Sequence, residues 1–294
     1  MKTFPKLMKA EAIKILGNYG PTAFLVGIFP VMAAAFIGFW MLFVLLSADA
    51  RQTMVEEPVQ WTDVMVGMWN IPNNIFGRAF LLAFVALQFG GEYQWNTWKN
   101  LVPRSERVPL ILAKFLVVGI IIVVAFILTS IITGVGMGLV SAISHAPYGP
   151  ELSGDVLSEF AEDYLLQAAT AFVGTVIGSG YAMIAAMLTR SILGSLITSY
   201  VIATAEGLSV LAFLLVAFFL KNVEILRLYR YTPTYNLFNA VEWINSNAPT
   251  TLRDWDDNIV ASDSLTFSLI VLFVWVFALI SLTAIAFQRQ DITN

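Results

Sequence analysis

The chain has 294 residues, of which 58% are hydrophobic and 12% are charged, and its formal net charge at pH 7 is -4. Soluble domains carry about 25% charged residues, so this composition excludes an ordinary soluble protein and indicates an integral membrane protein, with no sign of nucleic-acid binding. The sequence has no cysteine, which excludes disulfides, thiolate metal sites and a cysteine nucleophile, and its single histidine, His145, excludes a multi-histidine metal centre.

The first residues predict an amphipathic helix over residues 3–18. Apolar residues recur there at helical spacing with lysines between them: Phe4, Leu7, Met8, Ala12 and Ile15, and Lys2, Lys6, Lys9 and Lys14. A helix of this kind lies in the membrane interface with its apolar face towards the lipid. The alternative is a flexible start, and the interleaved charges are not the pattern of a secretory signal peptide.

Six segments are long and apolar enough to span a bilayer, which requires about 20 mainly apolar residues. They cover residues from about 22–47, 69–89, 110–142, 164–188, 192–220 and 264–287. The sequence therefore predicts an all-α membrane protein with six transmembrane helices, folded as a single transmembrane domain over residues 1–294.

The distribution of basic residues predicts that both termini are cytoplasmic. In that orientation ten lysines and arginines lie in the inner segments and five in the outer ones, with Arg78 inside a span. Inner loops of membrane proteins are enriched in lysine and arginine. The last outer loop, residues 221–263, is the longest and is divided by Pro233 into two amphipathic pieces. It either dips into the membrane as a re-entrant segment or folds as an ordinary outer loop.

Residues 90–109 join spans two and three on the predicted cytoplasmic side. Gly90 and Gly91 are expected to end span two, and Trp95, Trp98 and Leu101 share one face of a short helix that follows. A proline at position 103 ends that helix, and a lysine at position 114, early in span three, is expected to snorkel to the lipid headgroups. An interfacial helix with belt tryptophans is the alternative.

This segment resembles the connection between spans two and three of ABC transporter permeases of the type-2 (ABC-2) export class. The residues that carry the resemblance are Glu92, Thr97, Lys99, Leu101, Pro103, Arg107 and Lys114. The sequence departs from the family pattern at Asn96 and Ala113, where glycine is common, and by one extra residue in the Ser-Arg pair at 105–107.

The resemblance implies that the segment is a coupling helix seated in a separate ATP-binding subunit. The expected coupling residues are Glu92, Trp95, Thr97, Trp98, Lys99, Pro103, Arg104, Arg107 and Lys114, with Arg190 from the next inner turn. The chain has no G-x-x-x-x-G-K-[ST] loop, so ATP and Mg²⁺ would bind two copies of the partner, and this chain would be a transport subunit rather than an enzyme. A second permease subunit, identical or different, would complete an exporter in the cell membrane of a prokaryote.

Arg78 and Glu206 are charged residues inside predicted spans, which makes them candidates for function. Glu206 lies about 21 Å from the inner end of span five and Arg78 about 13 Å from the outer end of span two. We expect the two to form an ion pair, within one protomer or across a dimer, either as a structural salt bridge or as part of a translocation path. The resemblance to ABC-2 permeases implies that spans two and five line that path, and the other polar residues on these spans are Asn73, Asn74, Thr198, Ser199 and Thr204.

Two other functional classes compete with the exporter. An ion- or proton-coupled secondary transporter or channel would use Glu206 as its ion site, and it predicts an internal repeat that the sequence does not show. A membrane enzyme would require clustered catalytic groups, and the H-E-x-x-H and G-x-S-x-G motifs are absent from the sequence.

Overall fold

The computed structural model describes residues 4–102 and 106–290. It is built from α-helices, with two 3₁₀ segments and one β-hairpin. In chain order the helices are α1 (Phe4–Gly17), α2 (Tyr19–Leu25), α3 (Ile28–Leu46), α4 (Ala48–Glu56), α5 (Trp61–Gly67), α6 (Ile75–Gln94), α7 (Trp98–Leu101), α8 (Arg107–Ser144), α9 (Gly154–Thr189), α10 (Ile192–Gly207), α11 (Ser209–Leu220), α12 (Glu224–Arg227), α13 (Pro233–Ser246) and α14 (Leu265–Arg289).

The predicted all-α membrane architecture is confirmed. Five helices, α3, α6, α8, α9 and α14, are long and apolar enough to cross a membrane, and the bent pair α10–α11 would make a sixth span. The two parts of that pair meet at an angle of 52°, a bend that the prediction of a span over 192–220 did not include. Leu208 stands between them, outside both helices.

The predicted amphipathic helix at the start of the chain is present as α1. Ile15 is fully buried and α1 packs against α8, whereas Lys6 and Lys9 are exposed. The first predicted span is divided at Gly27 into α2 and α3. Most of the large apolar side chains of α3 are exposed, and its buried face lies against α8, as expected of a helix that faces lipid on its other sides.

The bounds of the second predicted span are wrong at both ends. Residues 68–73 form a 3₁₀ segment, and α6 begins at Ile75, where the Asn74 side chain caps the helix by accepting a hydrogen bond from the Gly77 amide at 2.7 Å. At the other end, α6 continues through Gly90 and Gly91 to Gln94. Those glycines permit close packing instead, since a Cβ on Gly90 would lie 3.0 Å from the backbone of Ile192.

The central helices α8 and α9 have 38 and 36 residues. At 1.5 Å per residue each is about 55 Å long, well beyond the hydrocarbon core of about 30 Å. Helix α9 begins ten residues before the predicted span because Ser153 caps it by accepting a hydrogen bond from the Val156 amide at 3.2 Å. Its first turns carry exposed acidic residues, which explains why hydropathy alone missed them.

The long segment between α11 and α14 is folded. As predicted, Pro233 divides it, because proline occupies the first turn of α13, where its missing N–H is not needed. Helix α13 packs against α9 and α14. The antiparallel hairpin of β1 (Thr251–Arg253) and β2 (Ile259–Ser262) was not predicted. Its turn is closed by Asp254, whose carboxylate accepts hydrogen bonds from the amides of Asp256 and Asn258.

Candidate functional site

The coupling segment, residues 90–109, has a different local structure from the predicted one. After α6 ends, Asn96 adopts a left-handed conformation with φ of 54°, and α7 follows as a single turn. Trp95 and Trp98 therefore do not share a helix face: Trp95 is 57% exposed and Trp98 is 1% exposed. Asparagine tolerates the left-handed region better than most residues, which accounts for its presence where glycine is common. Pro103 and Arg104 lie outside the described residues.

A buried ion network joins the coupling segment to two other helices. Lys114 on α8 is fully buried, with its Nζ 2.6 Å from Glu92 Oε1 and 2.9 Å from Glu11 Oε2 on α1. The same ammonium group donates a hydrogen bond to the Gln88 carbonyl at 3.1 Å and faces the rings of Phe89 and Trp98. One cation thus holds α1, α6 and α8 together.

Glu92 is the carboxylate shared by this network. It is 2% exposed and also accepts hydrogen bonds from the Lys14 ammonium and the Thr97 hydroxyl. The Thr97 amide bonds to the Glu92 carbonyl at 3.0 Å. Glu92 therefore stabilises the turn after α6 and also binds the lysines of α1 and α8. Because Glu11 and Glu92 are balanced by Lys14 and Lys114, the cluster is neutral in sum, as burial requires.

The prediction that the Lys114 side chain snorkels to the lipid headgroups is wrong. A lysine near a helix end can reach the headgroups only if its stem lies on the lipid-facing surface, and here the stem points into the contact of α8 with α1 and α6. Glu11 was not predicted from the sequence to be a partner of Lys114. The signal for it was present, because Glu11 falls within the apolar face formed by Leu7, Met8 and Ile15.

Arg107, another expected coupling residue, caps the C-terminus of α14. Its Nη1 donates to the carbonyl oxygens of Phe287, Gln288 and Gln290 at 2.8–2.9 Å. A cation is favourable there because the last carbonyls of a helix have no partner within the helix. The Tyr93 hydroxyl also donates to Gln290, at 2.6 Å, so α14 is joined to both ends of the coupling segment.

Three of the expected coupling residues are exposed at the tip of the segment and its neighbouring turn: Trp95, Lys99 and Arg190. The two turns adjoin, because the Gln94 side chain accepts a hydrogen bond from the Ile192 amide at 3.2 Å. We call these three residues the coupling face. Glu92, Trp98, Arg107 and Lys114, in contrast, are engaged with other parts of the chain.

The predicted ion pair between Arg78 and Glu206 is not formed within the protomer. Arg78 donates to the carbonyl of Ala203 on α10 at 3.3 Å. The Glu206 carboxylate instead accepts hydrogen bonds from the amide of Thr234, at 2.7 Å, and from its hydroxyl. These donors belong to the first turn of α13, whose free amides and dipole favour an anion. The sequence prediction missed this partner because α13 lies beyond the bend of α10–α11.

Arg78 opens onto a cavity of about 400 Å³ between α6, α10 and α13. Asn73 and Asn74 line it on one side, and Leu237, Phe238 and Val241 of α13 line it on the other. Thr198 and Ser199 do not line it: Ser199 is fully buried and donates to the Leu196 carbonyl within its own helix. Thr204 lies on α10 outside the lining as well.

Residues 26–154 match the family described as "ABC-2 family transporter protein". The matched range runs from the end of α2 to the beginning of α9 and contains the whole coupling segment. It confirms the resemblance to ABC-2 type permeases and, with the apolar helices, a multi-pass membrane protein. No curated protein matches the chain.

Proposed function

We propose that this chain is an ABC-2 type permease, as its match over residues 26–154 supports, and that it exports a substrate using the ATP hydrolysed by a separate subunit. Both termini and the coupling segment face the cytoplasm, where each of two ATP-binding subunits contacts one permease copy. ATP and Mg²⁺ bind those subunits, since this sequence has no phosphate-binding loop of the P-loop type.

The observation that carries this proposal is the way the coupling segment is held. Its buried side chains fix it to α1, α6, α8 and α14, while Trp95, Lys99 and Arg190 remain exposed. A rigid element with an exposed tip can transmit a push from a partner as a rigid-body shift of the attached helices. A flexible loop would absorb the same push.

The residues expected to couple the permease to ATP hydrolysis thus divide into two roles. Trp95, Lys99 and Arg190 form the surface that contacts the ATP-binding subunit. Glu92, Thr97, Trp98, Arg107 and Lys114 are positioning residues that hold this surface on the helices. The cavity lined by Arg78, Asn73 and Asn74 is the part of the translocation path that this motion opens and closes.

Capture of the partner from native membranes tests the proposal. The wild-type permease and the Trp95→Ala, Arg190→Ala double variant are purified, with Arg227→Ala as the matched control, because Arg227 is exposed in the segment that joins α11 and α13. We expect an ATP-binding subunit to copurify with the wild type and the control and to be lost from the double variant. Equal recovery of the subunit with all three proteins would overturn the proposal.

The contacts of Glu206 do not favour an ion- or proton-coupled transporter. A proton- or ion-coupled transporter would need this carboxylate to be free to exchange its ion, whereas its oxygens are taken up by the amide and hydroxyl of Thr234 and by the Tyr181 hydroxyl. Its contacts give it a structural role as an anion held by Thr234 in the first turn of α13.

A further inference from the structure

We propose that the cavity beside Arg78 binds the anionic headgroup of an amphipathic lipid. The inference rests on the proposed function for its purpose, because a ligand held in the translocation path would be cargo. The chemical class of the ligand is inferred from the residues of the cavity alone.

The first line of support is the state of Arg78. The guanidinium group has five N–H donors, and in residues 4–102 and 106–290 it makes one hydrogen bond, to the Ala203 carbonyl. None of the ion pairs among these described residues includes Arg78. A half-buried arginine in a membrane helix is costly without an anionic partner, and the Arg78 side chain lines the cavity.

The second line is the excess of donors in the wall. Asn74 uses its side-chain oxygen to cap α6 through the Gly77 amide, so the group it presents to a ligand is its NH₂. The nearest carboxylate on α10, Glu206, is held by Thr234. Arginine and amide N–H groups without a competing carboxylate suit a phosphate or carboxylate group, which only accepts hydrogen bonds.

The third line is the apolar half of the cavity. Leu237, Phe238 and Val241 face the polar wall across a space of about 400 Å³. Phe238 is 63% exposed, and Ile75 and Phe76, which directly follow Asn74, are also more than half exposed. A polar pocket beside an apolar surface fits a charged headgroup whose hydrocarbon chain leaves along the protein surface. A free inorganic anion would gain nothing from that surface.

The chain has no cysteine, so a single Val241→Cys variant can carry a bimane fluorophore in the apolar wall without background labelling. The labelled protein, in phosphatidylcholine nanodiscs and without any ATP-binding subunit, is titrated with doxyl-labelled phosphatidylglycerol or doxyl-labelled phosphatidylcholine. We expect quenching at a roughly tenfold lower fraction of phosphatidylglycerol, because its phosphate gains charge-assisted hydrogen bonds from Arg78.

Three substitutions in the labelled protein decide the origin of this preference. Arg78→Gln abolishes it, and unchanged quenching by phosphatidylcholine shows that this variant is folded. Asn74→Asp keeps the cap of α6 but places a negative charge in the wall, and it abolishes the preference as well. Arg227→Gln, the matched control, retains it, because Arg227 pairs with Glu224 and does not line the cavity.

Equal quenching by the two lipids, or a preference that survives Arg78→Gln and Asn74→Asp, would overturn the proposal. Competition by inorganic phosphate that equals competition by short-chain phosphatidylglycerol would identify a free anion as the ligand and overturn the lipid assignment. These outcomes are independent of the partner subunit: failure to capture an ATPase would overturn the proposed function and leave this measurement unchanged.

Discussion

Lys114 is the residue on which the position of the coupling segment depends most. Replacing it by methionine leaves Glu11 and Glu92 buried without their shared cation. We expect the Lys114→Met variant to lose about 3–5 kcal/mol of unfolding free energy, the usual cost of removing one member of a buried ion pair. Denaturant unfolding of the detergent-solubilised protein, followed by tryptophan fluorescence, measures it.

The control for this change is Lys99→Met, which removes an exposed lysine from the same segment. Its effect should stay within about 0.5 kcal/mol, as is usual for surface positions. Equal stabilities of the two variants would show that the network does not hold the segment.

Glu206 gives a second residue-level prediction, because sequence and structure assign it different partners. A double-mutant cycle of Glu206→Ala with Thr234→Ala should give a coupling energy of about 1–2 kcal/mol, as for residues in contact. The cycle with Arg78→Ala should give a smaller value, because Arg78 bonds to a backbone carbonyl that the substitution of Glu206 leaves in place. A larger coupling to Arg78 would restore the direct ion pair.

At the scale of elements, the 3₁₀ segment Met68–Asn73 depends on Gly77. The segment folds back onto the first turn of α6, and a Cβ on Gly77 would overlap the carbonyl oxygen of Ile71. We expect Gly77→Ala to cost about 1–3 kcal/mol, the usual cost of overpacking. Gly67→Ala serves as control, because nothing lies within 4 Å of its added methyl. Thermal unfolding that is unchanged by both substitutions would contradict this close packing.

An element can be predicted from the sequence when the interactions that determine it are local along the chain. Composition and hydropathy are properties of local windows, and they were sufficient for the all-α membrane class, for α1 and for the division at Pro233. Helix ends depend on caps, so the starts of α6 and α9 at Asn74 and Ser153 were missed. The bend at Leu208 has one local signal, Gly207 at the end of α10, but a single glycine in an apolar run does not by itself require a bend.

The candidate site shows the same limit. The resemblance indicated residues 90–109 as the coupling segment, but it could not separate exposed from buried residues within it. A lysine near the end of a span has the same sequence pattern whether it reaches the headgroups or a buried carboxylate. Only the packing of α1 against α8 decides the matter for Lys114, and only the path of the chain beyond α11 brings Thr234 to Glu206.

At the scale of the whole molecule, α1, α6, α8 and α14 meet at the coupling segment and form one mechanical unit. Helix α1 shares its buried face with that unit through Glu11 and Ile15. The cavity at Arg78 lies near the opposite end of α6. We propose that a shift of the coupling segment moves α6 as a rigid body and thereby changes the cavity.

The most direct test follows the cavity while the partner turns over ATP. Bimane on Val241→Cys reports on the cavity in native membrane vesicles that contain the ATP-binding subunit. We expect ATP with Mg²⁺ to change the emission, and the additional substitutions Trp95→Ala and Arg190→Ala on the coupling face to abolish that change. Emission that does not respond to ATP in the protein with an intact coupling face, although the subunit is bound and hydrolyses ATP, would contradict the account.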